Sequence, residues 1–197
     1  EPSLAEMTRA ALDRLSRDPD GFFLMVEGSR IDHAGHMNDA ATAAREVLEF
    51  EAAFEAALAF ARRDARTLVV VTADHETGGL SLGRSVDGRS LYEWRPEVLR
   101  ALRASAHAMA ERVGGGAAPA AVLWEHAGIR DLSPDEAARI RDASGDGREV
   151  AIAQAMSERA RIGWTTLGHT AVDVPVGAYG PGAEHLRGAR GHDDLGR

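Results

Sequence analysis

The residues of this chain best suited to chemistry are carboxylates and imidazoles placed where a metal centre could form. Asp32 and His36 stand four apart in Ile31-Asp-His-Ala-Gly-His36, and on a helical turn or compact loop that spacing lets both side chains converge on one point. Zinc takes such oxygen and nitrogen ligands. A second pair, Asp74-His75, follows the apolar run Thr67-Leu-Val-Val-Val-Thr72, and His169 stands in Gly168-His169-Thr170. Glu27 follows five apolar residues, Phe22 to Val26. A carboxylate just past a buried strand is costly unless it is paired or bound to a metal. Each feature alone is weak, since acidic residues commonly leave strand ends and a lone histidine is usually structural or exposed. His107, His126, His185 and His192 are read as such structural or exposed histidines.

The elements that must hold these residues alternate in type. Ser3-Leu-Ala-Glu6 has the form of a capping box, and Leu4, Met7, Ala11, Leu12 and Leu15 make one helical stripe behind it. Asp18-Pro19-Asp20-Gly21 turns the chain into a strand over Phe22 to Val26. A long amphipathic helix is expected from about Asp39 to Asp64, with Ala43, Val47, Phe50, Phe54, Leu58 and Ala61 at three- and four-residue spacing. Leu68 to Val71 is apolar throughout, as a strand buried on both faces should be. This alternation predicts an α/β fold with a mostly parallel sheet, helices on both faces and right-handed crossovers. The candidate ligands then fall at the carboxyl ends of neighbouring strands, where such a sheet puts its site.

After Gly78-Gly79, the alternating Leu80 to Leu82 and the turn dipeptide Asp87-Gly88 suggest a hairpin. Helical patterns follow over Arg95 to Val113, Pro119 to Ala127, Pro134 to Ala143 and Glu149 to Arg161, with a second capping box in Ser133-Pro-Asp-Glu136. The chain then returns to the sheet through Trp164 to His169 and Val172 to Tyr179, before a short segment over Ala183 to Arg187. The expected organisation is an α/β core from 1–84 and 163–188, a mainly helical insertion over 85–162, and a flexible tail over 189–197.

Composition bounds the function classes. A chain of 197 residues with 44% hydrophobic and 27% charged residues is globular. A net charge of -8 lacks the basic footprint of a nucleic-acid binder. There is no cysteine, so a metal would have to use histidine and carboxylate. All the cationic side chains are arginine. No run approaches the roughly 18 to 20 apolar residues of a membrane span, and the N-terminus carries no basic-then-apolar signal pattern.

Three blocks taken together carry more than any of them alone. Val26-Glu-Gly-Ser-Arg-Ile-Asp-His-Ala-Gly-His36, Thr72-Ala-Asp-His-Glu-Thr-Gly-Gly79 and Gly163-Trp-Thr-Thr-Leu-Gly-His169 resemble, in order, three metal-binding blocks of the alkaline phosphatases. The resemblance runs from about residue 1 to about 188 and is to the C-terminal half of such an enzyme, so the fold it implies is a partial one. It implies that Asp32, His36 and His169 bind one Zn2+, that Asp74 and His75 contribute to a second, and that Glu27 contributes to Mg2+. His33 is implied to modulate the surroundings of the site, a solvent-facing loop histidine being the plainer reading. Glu76 and Thr77 are read as supports for the turn, with no chemistry assigned.

The activity implied is hydrolysis of phosphomonoesters. The nucleophilic serine and the remaining ligands are expected in a missing N-terminal half, so the chain alone is expected to be an inactive fragment. Family members are usually exported to the periplasm or secreted, and commonly homodimeric. The alternatives are a phosphodiesterase, phosphomutase or sulfatase of the same superfamily, or a catalytically silent zinc-binding fragment.

Overall fold

The structure is a computed structural model and describes residues 1–191 and 193. Its helices are α1 (Leu4–Leu15), α2 (Arg30–His36), α3 (Ala40–Asp64), α4 (Pro96–Arg100), α5 (Ala106–Gly114), α6 (Pro119–Ala127), α7 (Pro134–Asp142) and α8 (Asp146–Ala160). Its strands are β1 (Val69–Thr72), β2 (Glu76–Thr77), β3 (Ser81–Leu82), β4 (Arg84–Val86), β5 (Arg89–Leu91), β6 (Ile162–Gly163), β7 (His169–Thr170) and β8 (Val176–Tyr179), and a 3-10 turn covers Ala183–Leu186.

Local chemistry sets the helix ends. The Ser3 hydroxyl accepts from the Glu6 amide at 3.2 Å while the Glu6 carboxylate accepts from the Ser3 amide at 2.8 Å, so α1 starts at its capping box. The same reciprocal pair between Ser133 and Glu136 starts α7. One expected helix, over Arg95 to Val113, is two. The Ser105 hydroxyl accepts from the Ala108 amide and opens α5 afresh after α4 has ended.

The mostly parallel sheet is corrected. The strands pair two by two: β1 with β8, β2 with β7, β3 with β6, and β4 with β5. In β1 and β8 the register is antiparallel, Val69 opposite Tyr179 and Thr72 opposite Val176; β3 with β6 and β4 with β5 are antiparallel too. Phe22 to Val26, the other strand expected in the N-terminal part of the sheet, does not pair with β1. That segment enters no ladder, and its side chains alternate, with Phe23 90% and Met25 75% exposed. It is therefore not a buried strand. Glu27 beyond it is itself exposed, so no burial penalty compels it to find a partner. Nor is β1 covered on both faces, since Leu68 and Val70 are exposed. The hairpin of β4 and β5 does form, closed by Asp87 at φ 50° and Gly88 at φ 73°, the left-handed pair of a type I′ turn.

The chain divides into two compact units. Residues 1–29, 46–76 and 171–197 form one, with α1, most of α3 and the β1–β8 pair, and with the Phe22 and Phe60 rings meeting edge to face at 5.9 Å. Residues 30–45 and 77–170 form the other, with α2 and α4 to α8. Its core is helical: Met109, Leu123, Ile140, Ile152 and Met156 are fully buried together. Among the described residues no helix is long and apolar enough to cross a membrane. Of the expected tail, His192 and residues 194–197 lie outside the described residues.

Candidate metal centre

The second unit builds its site from a short helix that ends abruptly. Asp32 in the first turn of α2 and His36 at its end lie on one face, and His36 Nε2 is 3.4 Å from Asp32 Oδ2. The Asp39 amide then bonds the Ala34 carbonyl and the Asn38 amide the Gly35 carbonyl, with Asn38 left-handed at φ 56°. This is a Schellman ending, and asparagine tolerates its backbone. Asp39, buried, takes over at once as the first cap of α3, accepting from the Thr42 amide at 3.0 Å and the Thr42 hydroxyl at 2.6 Å.

His169 arrives on a loop tied down at several points. The Asn38 amide nitrogen Nδ2 donates to the Thr166 carbonyl at 3.1 Å, and His36 Nδ1 lies 2.6 Å from the Leu167 carbonyl. From the other side, the Gly78 amide donates to the Gly168 carbonyl at 2.8 Å, and the Thr165 and Thr166 amides donate to the Gly78 carbonyl. Gly78 has no room for a side chain, because a Cβ there would stand 2.6 Å from the Trp164 ring. Held this way, His169 Nε2 lies 3.2 Å from His36 Nε2 and 3.8 Å from Asp32 Oδ1.

The partner of His36 orients its ring. A carbonyl oxygen only accepts, so Nδ1 carries a hydrogen, and Nε2 is the ring atom left facing Asp32 and His169, free to act as a ligand in the neutral tautomer. Histidines that ligate metals are oriented in this way, by the other ring nitrogen donating to a carbonyl or carboxylate. Four-coordinate zinc with bonds of about 2.0 to 2.1 Å spaces its ligand atoms about 3.3 Å apart. His36 Nε2 lies at 3.2 Å from His169 Nε2 and 3.4 Å from Asp32 Oδ2, close to that figure, and one ligand atom from each of the three residues lies within 4.8 Å of the others; the donor set of one carboxylate and two imidazoles suits zinc as well.

Asp32, His36 and His169 are the group of three possible ligands that the described residues assemble. Asp74 and His75 do not enter it: they pair with each other at 3.2 Å, Asp74 exposed and His75 half-buried. Glu27 does not enter it either, and His33 is exposed on α2. Among the histidines set aside, His107 is exposed between Glu149 and Glu111, His185 lies exposed beside Glu184, and His126 is largely buried. Three participants had no residue-type signal in the sequence: Asn38, the Leu167 carbonyl, and Thr77, whose hydroxyl donates to Asp32 Oδ1 at 2.6 Å. Thr77 stands inside the second metal-binding block, yet its partner lies 45 residues away.

Comparison with known proteins extends this geometry. The family model described as alkaline phosphatase matches residues 1–197. Alkaline phosphatase 3 of Bacillus subtilis (strain 168) is 44% identical over 195 residues, covering 95% of this chain and 41% of its own length. Alkaline phosphatase 4 of the same organism is 41% identical over 98% of this chain and 42% of its own length. The crystal structure of a cold-active alkaline phosphatase from Shewanella sp. superposes with a TM-score of 0.81 at 38% identity, over 93% of this chain and 46% of that one. The chain thus spans less than half the length of these relatives.

Two expectations are corrected by these matches. The resemblance neither stops near residue 188 nor amounts to a C-terminal half alone, because the family model covers the chain from 1 to 197. The expected C-terminal fragment is corrected with it to a domain that the family model matches along its whole length. What the matches support is a hydrolase domain of alkaline phosphatase type carrying one candidate cluster of metal ligands.

Proposed function

We propose that this chain, which belongs to the alkaline phosphatase family, acts in metal-dependent hydrolysis of phosphate monoesters, with Asp32, His36 and His169 holding a zinc ion. The observation that carries the reading is the meeting of three ligand side chains from α2 and β7 at separations suited to one small cation. Bound there, zinc supplies a Lewis acid for phosphoryl oxygen and lowers the pKa of water.

The chain's own part is to hold the ligands and set the local charge. Two neutral imidazoles and one carboxylate would neutralise only half of a dication, so a loaded site would attract a dianionic phosphate although the whole chain is at -8. The Leu167 carbonyl keeps the His36 lone pair facing inward. By the family resemblance, Asp74 and His75 contribute to a second zinc and Glu27 to magnesium. On the same ground His33, exposed on α2, tunes the surroundings of the first site. Export from the cytoplasm and a homodimeric assembly complete the reading, with the family as their support.

Calorimetric titration with zinc, followed by turnover of a phosphate monoester and a phosphate diester, tests it. Wild type should bind zinc and prefer the monoester, and His36→Ala should lose both affinity and turnover. Preference for the diester, or zinc affinity unchanged in His36→Ala, counts against the proposal.

A further inference from the structure

The helical core contains a buried hydroxyl whose partners lie outside helices α4 to α8. Ser157 is on α8 at 5% exposure, between Met156 and Ala160, which are buried in apolar clusters. A buried hydroxyl costs stability unless it is bonded. The Trp164 indole donates to its Oγ at 3.0 Å. An indole nitrogen only donates, so the hydroxyl hydrogen is left for the Asn38 carbonyl, 3.5 Å away.

Both partners lead to the candidate ligands. Asn38 follows the end of α2 two residues after His36, and its side chain donates to the Thr166 carbonyl. Trp164 opens the loop that ends at His169. Its indole is engaged at two opposite edges: Nε1 bonds Ser157, while Cε3 and Cζ3 lie where a Cβ on Gly78 would stand 2.7 and 2.6 Å from them. Gly78 in turn donates to the Gly168 carbonyl and accepts from the Thr165 and Thr166 amides. We propose that Ser157 is a positioning residue: by fixing the Trp164 ring against Gly78 it sets the loop that brings His169 to His36 and Asp32, and so makes α8 part of the mount of the metal centre. All these residues belong to the second unit. This deepens the zinc reading above and rests on it.

The test compares wild type with Ser157→Ala, Trp164→Phe, the double variant and Ile140→Val, which removes a methyl from the same core and leaves the hydroxyl in place. Zinc affinity is read by competition with a chromophoric chelator, and amide exchange over residues 163–170 of the metal-free protein by mass spectrometry. Ser157→Ala should bind zinc about 3- to 10-fold more weakly, the worth of one hydrogen bond, with exchange in that segment faster by a similar factor. On top of Trp164→Phe the same substitution should change little, since the hydroxyl acts through the indole. Ile140→Val should lower the urea midpoint and leave zinc affinity and loop exchange near wild type. Ser157→Ala matching wild type in either readout overturns the proposal, and so does a full second loss in the double variant. An equal loss in Ile140→Val overturns it too, since Ser157 would then merely stabilise the core. Wild type that binds no zinc removes the metal reading itself, and this proposal with it.

Discussion

At the scale of single residues, Asp39 shows how much structure one carboxylate can join. It is buried, it caps α3 through the Thr42 amide and hydroxyl, and its Oδ2 also accepts from the Ala106 amide at 2.9 Å, at the start of α5. Two helix starts 67 residues apart in sequence thus share one acceptor group. Asp39→Ala removes a cap and leaves the buried Ala106 amide unpaired, so it should cost about 3 kcal/mol by urea unfolding. Asp39→Asn should recover only part of this, because its NH2 group only donates and cannot replace an oxygen that accepts from the Thr42 hydroxyl and the Ala106 amide. A cost below about 1 kcal/mol for Asp39→Ala would show that water or a neighbour satisfies the amide instead. Legibility at this scale tracks sequence distance. Asp32 and His36 could be read as a pair because a spacing of four is a helical contact, whereas no spacing joins His169 to them, and only the resemblance to a family put the three on one ion. Thr77 and Asn38 were missed because a hydroxyl or an amide meeting a remote partner leaves no periodic trace.

At the scale of elements, capping and turn chemistry were legible because they are decided within four residues. The boxes at Ser3 and Ser133 and the turn at Asp87-Gly88 formed where expected. Strand pairing was not legible. Alternation of helix and strand suggests a parallel sheet, but no local property of Val69 to Thr72 says that its neighbour will be Val176 to Tyr179 running the other way. The apolar run Phe22 to Val26 misled for the same reason, since composition does not state whether a face is covered. Glycines separate the two kinds of position. Gly78, at φ 94°, sits under the Trp164 ring and within 3.0 Å of the Gly35 carbonyl for any Cβ, so Gly78→Ala should push away the loop that ends at His169. The expected result is a loss of about 3 kcal/mol of stability together with weakened zinc binding. Gly88→Ala, at φ 73° with nothing near its Cβ, should cost only about 1 kcal/mol and leave zinc binding unchanged. Equal zinc affinity in both variants would mean that the loop is not held by its packing on Gly78.

At the scale of the whole molecule, the best-buried core belongs to the helices between Pro96 and Ala160, and its ion pairs make stability depend on pH. Arg159 on α8 donates to Glu136 at 2.8 and 3.1 Å and to Asp131 at 2.8 Å, joining α7 to α8. These bonds hold the Glu136 carboxyl down at about 2, with the Ser133 cap assisting, and lower Asp131 as well; both carboxylates in turn raise Arg159. A carboxyl whose folded value lies below its unfolded one stabilises the fold above the unfolded value, near 4.5 for Glu136, and that stability drains away as pH falls toward about 2. Wild type should therefore lose on the order of 2 kcal/mol between about pH 5 and pH 2 through this group, after allowance for solvent around the arginine. Glu136→Gln keeps the shape and deletes the titration, so it should be less stable than wild type at neutral pH and converge on it in acid. Urea midpoints measured across that range decide the matter. Parallel acid limbs for the two proteins would place the pH sensitivity of the helical core elsewhere.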